Sequence, residues 1–119
     1  MTKVLIADDE NSLRFLISET LLLEDNKYQL FEAQDGEEAL SKILSIKPDI
    51  VVLDVMMPKL SGYQILEQLK DVADYKPKVV MLTAKVQPED IERGLSLGAT
   101  LYLSKPFSPI ELLNTINKL

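Results

Sequence analysis

The 119-residue sequence contains no cysteine and no histidine. The first absence excludes disulfides; together they exclude thiolate or imidazole metal sites and catalysis by a histidine base. The metal chemistry left is that of carboxylates, which suits hard cations such as Mg²⁺. No run of Lys or Arg stands out and the formal net charge is −6, so this domain is not expected to bind nucleic acid, although a chain beyond residue 119 could do so. Long apolar runs are lacking as well. Lys3 is followed by only Val4 to Ala7 before Asp8, too few for a signal peptide or a membrane span, so a cytoplasmic protein with no membrane contact is expected. No G-x-G-x-x-G or P-loop occurs, which removes the usual glycine-rich phosphate cradles.

What remains reads as one domain over residues 1–119, with a hydrophobic fraction of 46% and a charged fraction of 27%, ordinary for a globular protein. Its organising stretch is Ile50-Val51-Val52-Leu53-Asp54: four apolar residues, mostly β-branched, that predict a strand buried on both faces and ending in an acid. Pro58 stops further pairing. Lys3 to Ala7 is a second such run, ending in Asp8-Asp9-Glu10, with Asn11 or Ser12 placed to cap a helix. That helix carries Leu13, Leu16, Ile17, Thr20 and Leu21 at helical spacing to about Glu24. A turn at Asp25-Asn26-Lys27 leads to a strand from Tyr28 to Ala33. Asp35-Gly36 breaks it, and Ala39, Leu40, Ile43 and Leu44 mark a second helix that Pro48-Asp49 ends.

After the loop Lys59 to Gly62, Ile65, Leu66, Leu69 and Ala73 predict a third helix. Lys78 to Leu82 predicts a fourth strand, ending at Thr83-Ala84. Pro88, Glu89 and Asp90 open a fourth helix and Gly98 closes it. Thr100 to Leu103 predicts a fifth strand. Ser108-Pro109-Ile110-Glu111 is a capping-box pattern before a last helix with Leu112, Leu113 and Ile116 inward. A β-α unit repeated five times with short connections implies an α/β doubly wound (βα)5 sandwich of the flavodoxin-like kind, its parallel five-stranded sheet in the order 2-1-3-4-5.

That order reverses between the first and third strands, and ligands bind outside the carboxyl ends of strands at such a reversal. Asp8, Asp9 and Asp54 would meet there, flanked by Thr83-Ala84 and Lys105. Crowded carboxylates favour a cation, and an all-oxygen set suits Mg²⁺. With a metal in place, Lys105 and the Thr83 hydroxyl could hold phosphoryl oxygens, and a carboxylate can itself be a nucleophile that forms an acyl phosphate. Asp54 is the best-placed candidate. Each residue also has a plainer role open to it: Asp8, Asp9 and Glu10 could simply favour a helix dipole, Lys105 could be solvated, and Tyr102 could fill a strand. Their joint occurrence at adjacent strand ends favours a site.

Asp8-Asp9, Asp54 in D-V-M-M-P-K-L-S-G, Thr83-Ala84 and Lys105-Pro106 together resemble the receiver domain of two-component response regulators, over the whole chain. The resemblance implies that Asp54 accepts a phosphoryl group from a histidine kinase or phosphotransfer protein. It implies Mg²⁺ on Asp9, Asp54 and the Met56 backbone carbonyl, with Asp8 acting through water. Thr83 and the Ala84 amide would hold phosphoryl oxygens and Lys105 would pair with the phosphoryl charge, its bond to Pro106 typically cis. Thr83 and Tyr102 match the family's switch positions, implying a shift of the fourth helix, fifth strand and fifth helix toward a downstream protein or output domain. Such a module is not an enzyme beyond its own phosphorylation and dephosphorylation. Thr100-Leu101 and Ile110 stand where many DNA-binding members carry dimer salt-bridge residues, which favours an apolar contact instead. Met56 and Lys85 lie at positions that tune phosphoryl lifetime in receivers. Two alternatives stay open: an aspartate-nucleophile phosphatase, which wants a second Asp where Met56 stands, and a non-phosphorylated docking module.

Overall fold

The structure is a computed structural model that describes residues 1–84 and 87–119. Among these residues five strands alternate with five helices: β1 (Thr2–Ala7), α1 (Asn11–Leu21), β2 (Tyr28–Ala33), α2 (Gly36–Ile46), β3 (Ile50–Asp54), α3 (Gly62–Leu69), β4 (Lys78–Thr83), α4 (Pro88–Ser96), β5 (Leu101–Ser104) and α5 (Pro109–Asn117). The strands pair in parallel in the order β2-β1-β3-β4-β5, the doubly wound order the alternation predicts. All five residues of β3 are buried, as a central strand covered on both faces requires.

Strand residues alternate between two cores. Leu5, Ala7, Val51, Leu53, Val79 and Met81 face one layer with Ile43 of α2 and Ile65 and Leu66 of α3. Val4, Ile6, Val52, Val80 and Leu82 face the other, with Ile17 and Leu21 of α1 and Leu112 and Ile116 of α5. Each fully buried Leu or Ile contributes about 1.5–3 kcal/mol relative to exposure.

Several local expectations are corrected. Neither Asn11 nor Ser12 caps α1. Glu10 occupies the N-cap without a side-chain bond, and the Asn11 amide oxygen accepts from Arg14 instead. The helix ends at Leu21, short of Glu24, because the Leu23 and Glu24 N–H groups reach back three residues, to Thr20 and Leu21, and tighten the chain out of α-geometry. Leu16 is 43% exposed rather than inward. Ala73 lies beyond α3, whose last carbonyl, Leu69, accepts from Val72. β5 starts at Leu101, not Thr100, because the Thr100 hydroxyl takes the Val79 N–H that a strand carbonyl would have received. At α5 the Ser108 hydroxyl accepts from the Glu111 N–H and Pro109 follows as expected, without the reciprocal carboxylate bond. The full capping box stands at α3, where Ser61 and Gln64 each accept from the other's backbone.

Gly36 ties α2 to the loop that follows β3. Its N–H donates to the Pro58 carbonyl at 3.1 Å, and a β-carbon there would stand 2.0 Å from the Leu60 carbonyl oxygen. The clash is with backbone, which cannot rotate aside. Gly36→Ala is expected to destabilise the fold by about 1–3 kcal/mol through overpacking, read as a lower denaturant midpoint. An unchanged midpoint would contradict this close approach.

Candidate functional site

The carboxyl ends of β1, β3, β4 and β5 bring the expected residues together. Asp8, just past β1, is wholly buried. Its Oδ1 accepts from the Glu10 N–H at 2.9 Å and its Oδ2 from the Lys105 ammonium at 3.0 Å. Asp9, next in the turn, is exposed. Asp54 ends β3 at 5% exposure; its Oδ1 accepts from the Met56 N–H at 3.2 Å, and its Oδ2 lies 3.4 Å from Lys105 Nζ. Lys105 also stands 4.0 Å from Glu10. The lysine is fixed at its backbone, where its N–H donates to the Thr83 carbonyl at 2.8 Å. The Lys105–Pro106 peptide is cis. Thr83 is buried at the end of β4, and Ala84 follows it, exposed. Met56 is 63% exposed. Lys85 lies outside the described residues.

Burial raises the Asp54 carboxyl to about 6, with the Asp8 charge adding to the effect and Lys105 opposing it. Burial also works to lower the Lys105 ammonium, but Asp8 and Asp54 more than offset it and hold the lysine above its ordinary value. Asp8, Asp9 and Asp54 each offer a carboxylate oxygen, and these lie within 4.8 Å of one another. The cluster is all oxygen, with one member exposed, so it fits a small hard divalent cation reached from solvent.

Tyr102 sits inward, under α4. The register pairs it with Met81, so Tyr102, Met81 and Thr83 share one face of the sheet. Its hydroxyl donates to the Asp90 carbonyl at 2.9 Å, and Tyr63 donates to the same oxygen at 3.2 Å. Burial, then the neighbouring Tyr63, pushes the Tyr102 phenol well up. Arg93 stacks 4.4 Å from the Tyr63 ring centroid. The slot for Tyr102 exists because position 94 is glycine: a β-carbon there would fall 1.8 Å from the Tyr102 hydroxyl. Ile110 is 63% exposed and Leu95 46%, in line with the expected apolar surface at α5.

Three residues at the site escaped the sequence reading. Neither Tyr63 nor Gly94 was singled out, although a glycine inside a helical pattern is itself a signal of close packing. Arg14 bonds the Asp8 carbonyl; a cation near a helix N-terminus runs against the dipole, and that was the available clue.

The chain matches the response regulator receiver domain family over residues 4–117 and belongs to it. It is 46% identical over 110 residues to the alkaline phosphatase synthesis transcriptional regulatory protein PhoP of Bacillus subtilis, covering 92% of this chain and 45% of that protein. To response regulator MprA of Mycolicibacterium vanbaalenii it is 42% identical, covering 93% and 47%. The chain thus spans less than half the length of these relatives. Among solved structures it is similar to the chemotaxis response regulator CheY4 of Vibrio cholerae (TM-score 0.89, 38% identity, 99% of this chain and 98% of that one). It is also similar to the receiver domain of the Francisella response regulator 1452 (TM-score 0.86, 35% identity, 99% and 95%). Receiver domains of response regulators are signalling modules rather than typical enzymes, and they typically bind Mg²⁺ at an acidic pocket. No helix among the described residues is long and apolar enough to cross a membrane.

Two outcomes follow from the geometry. The folded chain holds the Asp54 proton up to about pH 6, against 3.8 ordinarily, so ionising Asp54 costs stability as pH rises through that window. The stability gained by Asp54→Asn over wild type is expected to grow between about pH 4 and pH 6 and level off above, in thermal unfolding without divalent metal. A gain that does not vary with pH would contradict it. Gly94→Ala is expected to leave the fold intact, alanine being the better helix former by about 0.8–1.0 kcal/mol, while driving the Tyr102 phenol outward. Its hydroxyl, followed by NMR of labelled tyrosine rings, should then titrate near the ordinary 10.0. A phenol that still titrates as high as in wild type would overturn the slot argument.

Proposed function

We propose that this domain is a phosphorylation-switched module of a two-component phosphorelay, with Asp54 as its phosphoacceptor. One observation supports this most: a nearly buried aspartate at the end of the central strand, beside two further acids and an ammonium that contacts both Asp8 and Asp54. An Asp54 carboxylate oxygen attacks the phosphorus of a phosphohistidine on a kinase or phosphotransfer protein. The P–N bond breaks, its electron pair stays on the departing imidazole nitrogen, which takes up a proton, and an aspartyl phosphate forms. Asp9, Asp54 and the Met56 carbonyl would hold Mg²⁺, with Asp8 acting through water. When bound, the ion offsets negative charge on the phosphoryl oxygens.

The chain's own residues do the rest. Lys105 pairs with the phosphoryl group, which carries roughly −1.5 to −2 charge. Thr83 and the Ala84 amide hold its other oxygens. Inward movement of Thr83 is coupled to Tyr102 on the same face, and the balance between two packings of α4, β5 and α5 presents a different surface to a downstream protein or output domain. The proposed setting is the cytoplasm.

Incubation with Mg²⁺ and acetyl phosphate, followed by intact mass measurement, is expected to show one labile phosphoryl group on wild type and none on Asp54→Asn. A gain that survives the substitution, or no gain at all, would sink the reading; turnover of an added phosphate ester would favour the phosphatase alternative. Lys105→Ala should still be phosphorylated but lose the spectral response at Tyr102. A full response in that variant would remove Lys105 from its assigned role.

A further inference from the structure

Arg14 lies near the start of α1, yet its side chain is only 12% exposed. All three of its nitrogens donate. Nη1 bonds the Asp8 carbonyl oxygen at 2.6 Å, Nε bonds Glu32 at 3.1 Å, and Nη2 bonds the Asn11 amide oxygen. Glu32 belongs to β2, in register with Ile6, so one guanidinium spans the end of β1, the first turn of α1 and the neighbouring strand. A planar, fixed set of donors is what an arginine supplies and a lysine does not.

The Asp8 carbonyl belongs to the peptide that joins Asp8 to Asp9. On its other side, the Asp8 N–H donates to the Ala33 carbonyl at 3.2 Å, and both carboxylate oxygens are taken as described above. Asp8 is therefore bonded at every polar atom. Asp9 is different: it is exposed, and among the described residues nothing holds its carboxylate. Its direction depends on the peptide behind it, whose carbonyl Arg14 holds and which the bond from the Glu10 N–H to Asp8 Oδ1 also spans.

We infer that Arg14 is a positioning residue for the acid cluster: by clamping the Asp8 carbonyl it fixes the Asp8–Asp9 peptide and so aims the Asp9 carboxylate toward Asp8 and Asp54. The inference rests on the reading that these acids hold Mg²⁺. It is a role of geometry rather than charge, because Glu32 lies in direct contact with the guanidinium and neutralises it. Without the clamp, the Asp8 carbonyl loses its donor in a half-buried place, and the peptide keeps only the flanking bonds of the Asp8 N–H and Oδ1. An outer partner bonded directly to a metal ligand is typically worth about 10–100-fold in metal affinity; Arg14 acts one peptide further back, so the low end, about 10-fold, applies.

The experiment is a calorimetric Mg²⁺ titration of wild type, Arg14→Met, Arg14→Lys and Glu32→Gln, each paired with thermal unfolding in the absence of metal. Methionine keeps the apolar stem and removes the donors. Arg14→Met is expected to weaken Mg²⁺ binding by about 10-fold, Arg14→Lys to recover part of the loss through one remaining donor, and Glu32→Gln to leave the affinity near that of wild type. A purely structural role would lower the unfolding temperature and leave the affinity of the folded protein alone; that result overturns the inference. So does a Glu32→Gln effect as large as that of Arg14→Met, since charge would then be the cause. Should the methionine variant not fold, Asn11→Ala loosens the same clamp, and a loss of about threefold or more supports the inference while an unchanged affinity overturns it. A wild type that takes no Mg²⁺ fails the metal reading and this inference together. A wild type that binds beside an equally tight methionine variant fails the inference alone.

Discussion

The site depends on one ammonium. Three aspartates stand at the ends of two neighbouring strands, two of them almost without solvent, and like charges at such separations repel strongly where water cannot screen them. Lys105 lies between Asp8 and Asp54 and makes the arrangement tolerable. Its own position is fixed through the backbone, by the bond to the Thr83 carbonyl, so the counter-charge is part of the sheet and not a mobile surface lysine. Removing one partner of a buried charge pair leaves the other uncompensated, which is far more costly than the pair is worth. A divalent cation entering this cluster meets a charge already in place, and its net affinity includes the cost of moving Lys105 aside or sharing the acids with it.

A second polar cluster lies on the α4 side of the sheet. There two phenols, from α3 and β5, converge on a single carbonyl of α4. The inward position of Tyr102 is thus held by a hydrogen bond and by the space that Gly94 leaves, not by apolar packing alone. The bond itself is worth about 0.5–1.5 kcal/mol net, and the phenol also lies 3.4 Å from the Tyr63 hydroxyl. In the proposed switch, that bond is what a change at Thr83 would have to offset.

The element order and the strand sequence of the sheet were legible because five apolar runs separated by helical spacings leave few other topologies. Asp54 was legible as a candidate because the strand order sets it beside Asp8, Asp9, Thr83 and Lys105, whereas an acid that merely ends a strand is readily explained by solvation. The boundaries were less so, wherever a side chain substitutes for backbone. The Thr100 hydroxyl stands in for a strand carbonyl, and the Asn11 amide serves Arg14 rather than the helix end. Nothing in hydrophobic spacing records such exchanges. Arg14 and Gly94 were missed for a related reason: their partners are 6 and 8 residues away by number, at Asp8 and Tyr102, but are brought close by the fold rather than by helical periodicity. Leu16 was misplaced because spacing alone does not say where the covered stripe of a helix ends.

The two cores have a consequence of their own. A single sheet of backbone separates them, with Tyr102, Met81 and Thr83 on one side and Leu82, Leu103, Ile17 and Leu21 of α1 and Leu112 and Ile116 of α5 on the other. Side chains on opposite faces of a strand do not touch, so a rearrangement beneath α4 has no direct side-chain path to the layer beneath α1. The layers communicate only where the strands stop and the chain turns, which is also where the acids and Lys105 reside. In mechanical terms the molecule is two packed slabs joined along one rim, and the acid cluster and Lys105 stand on that rim.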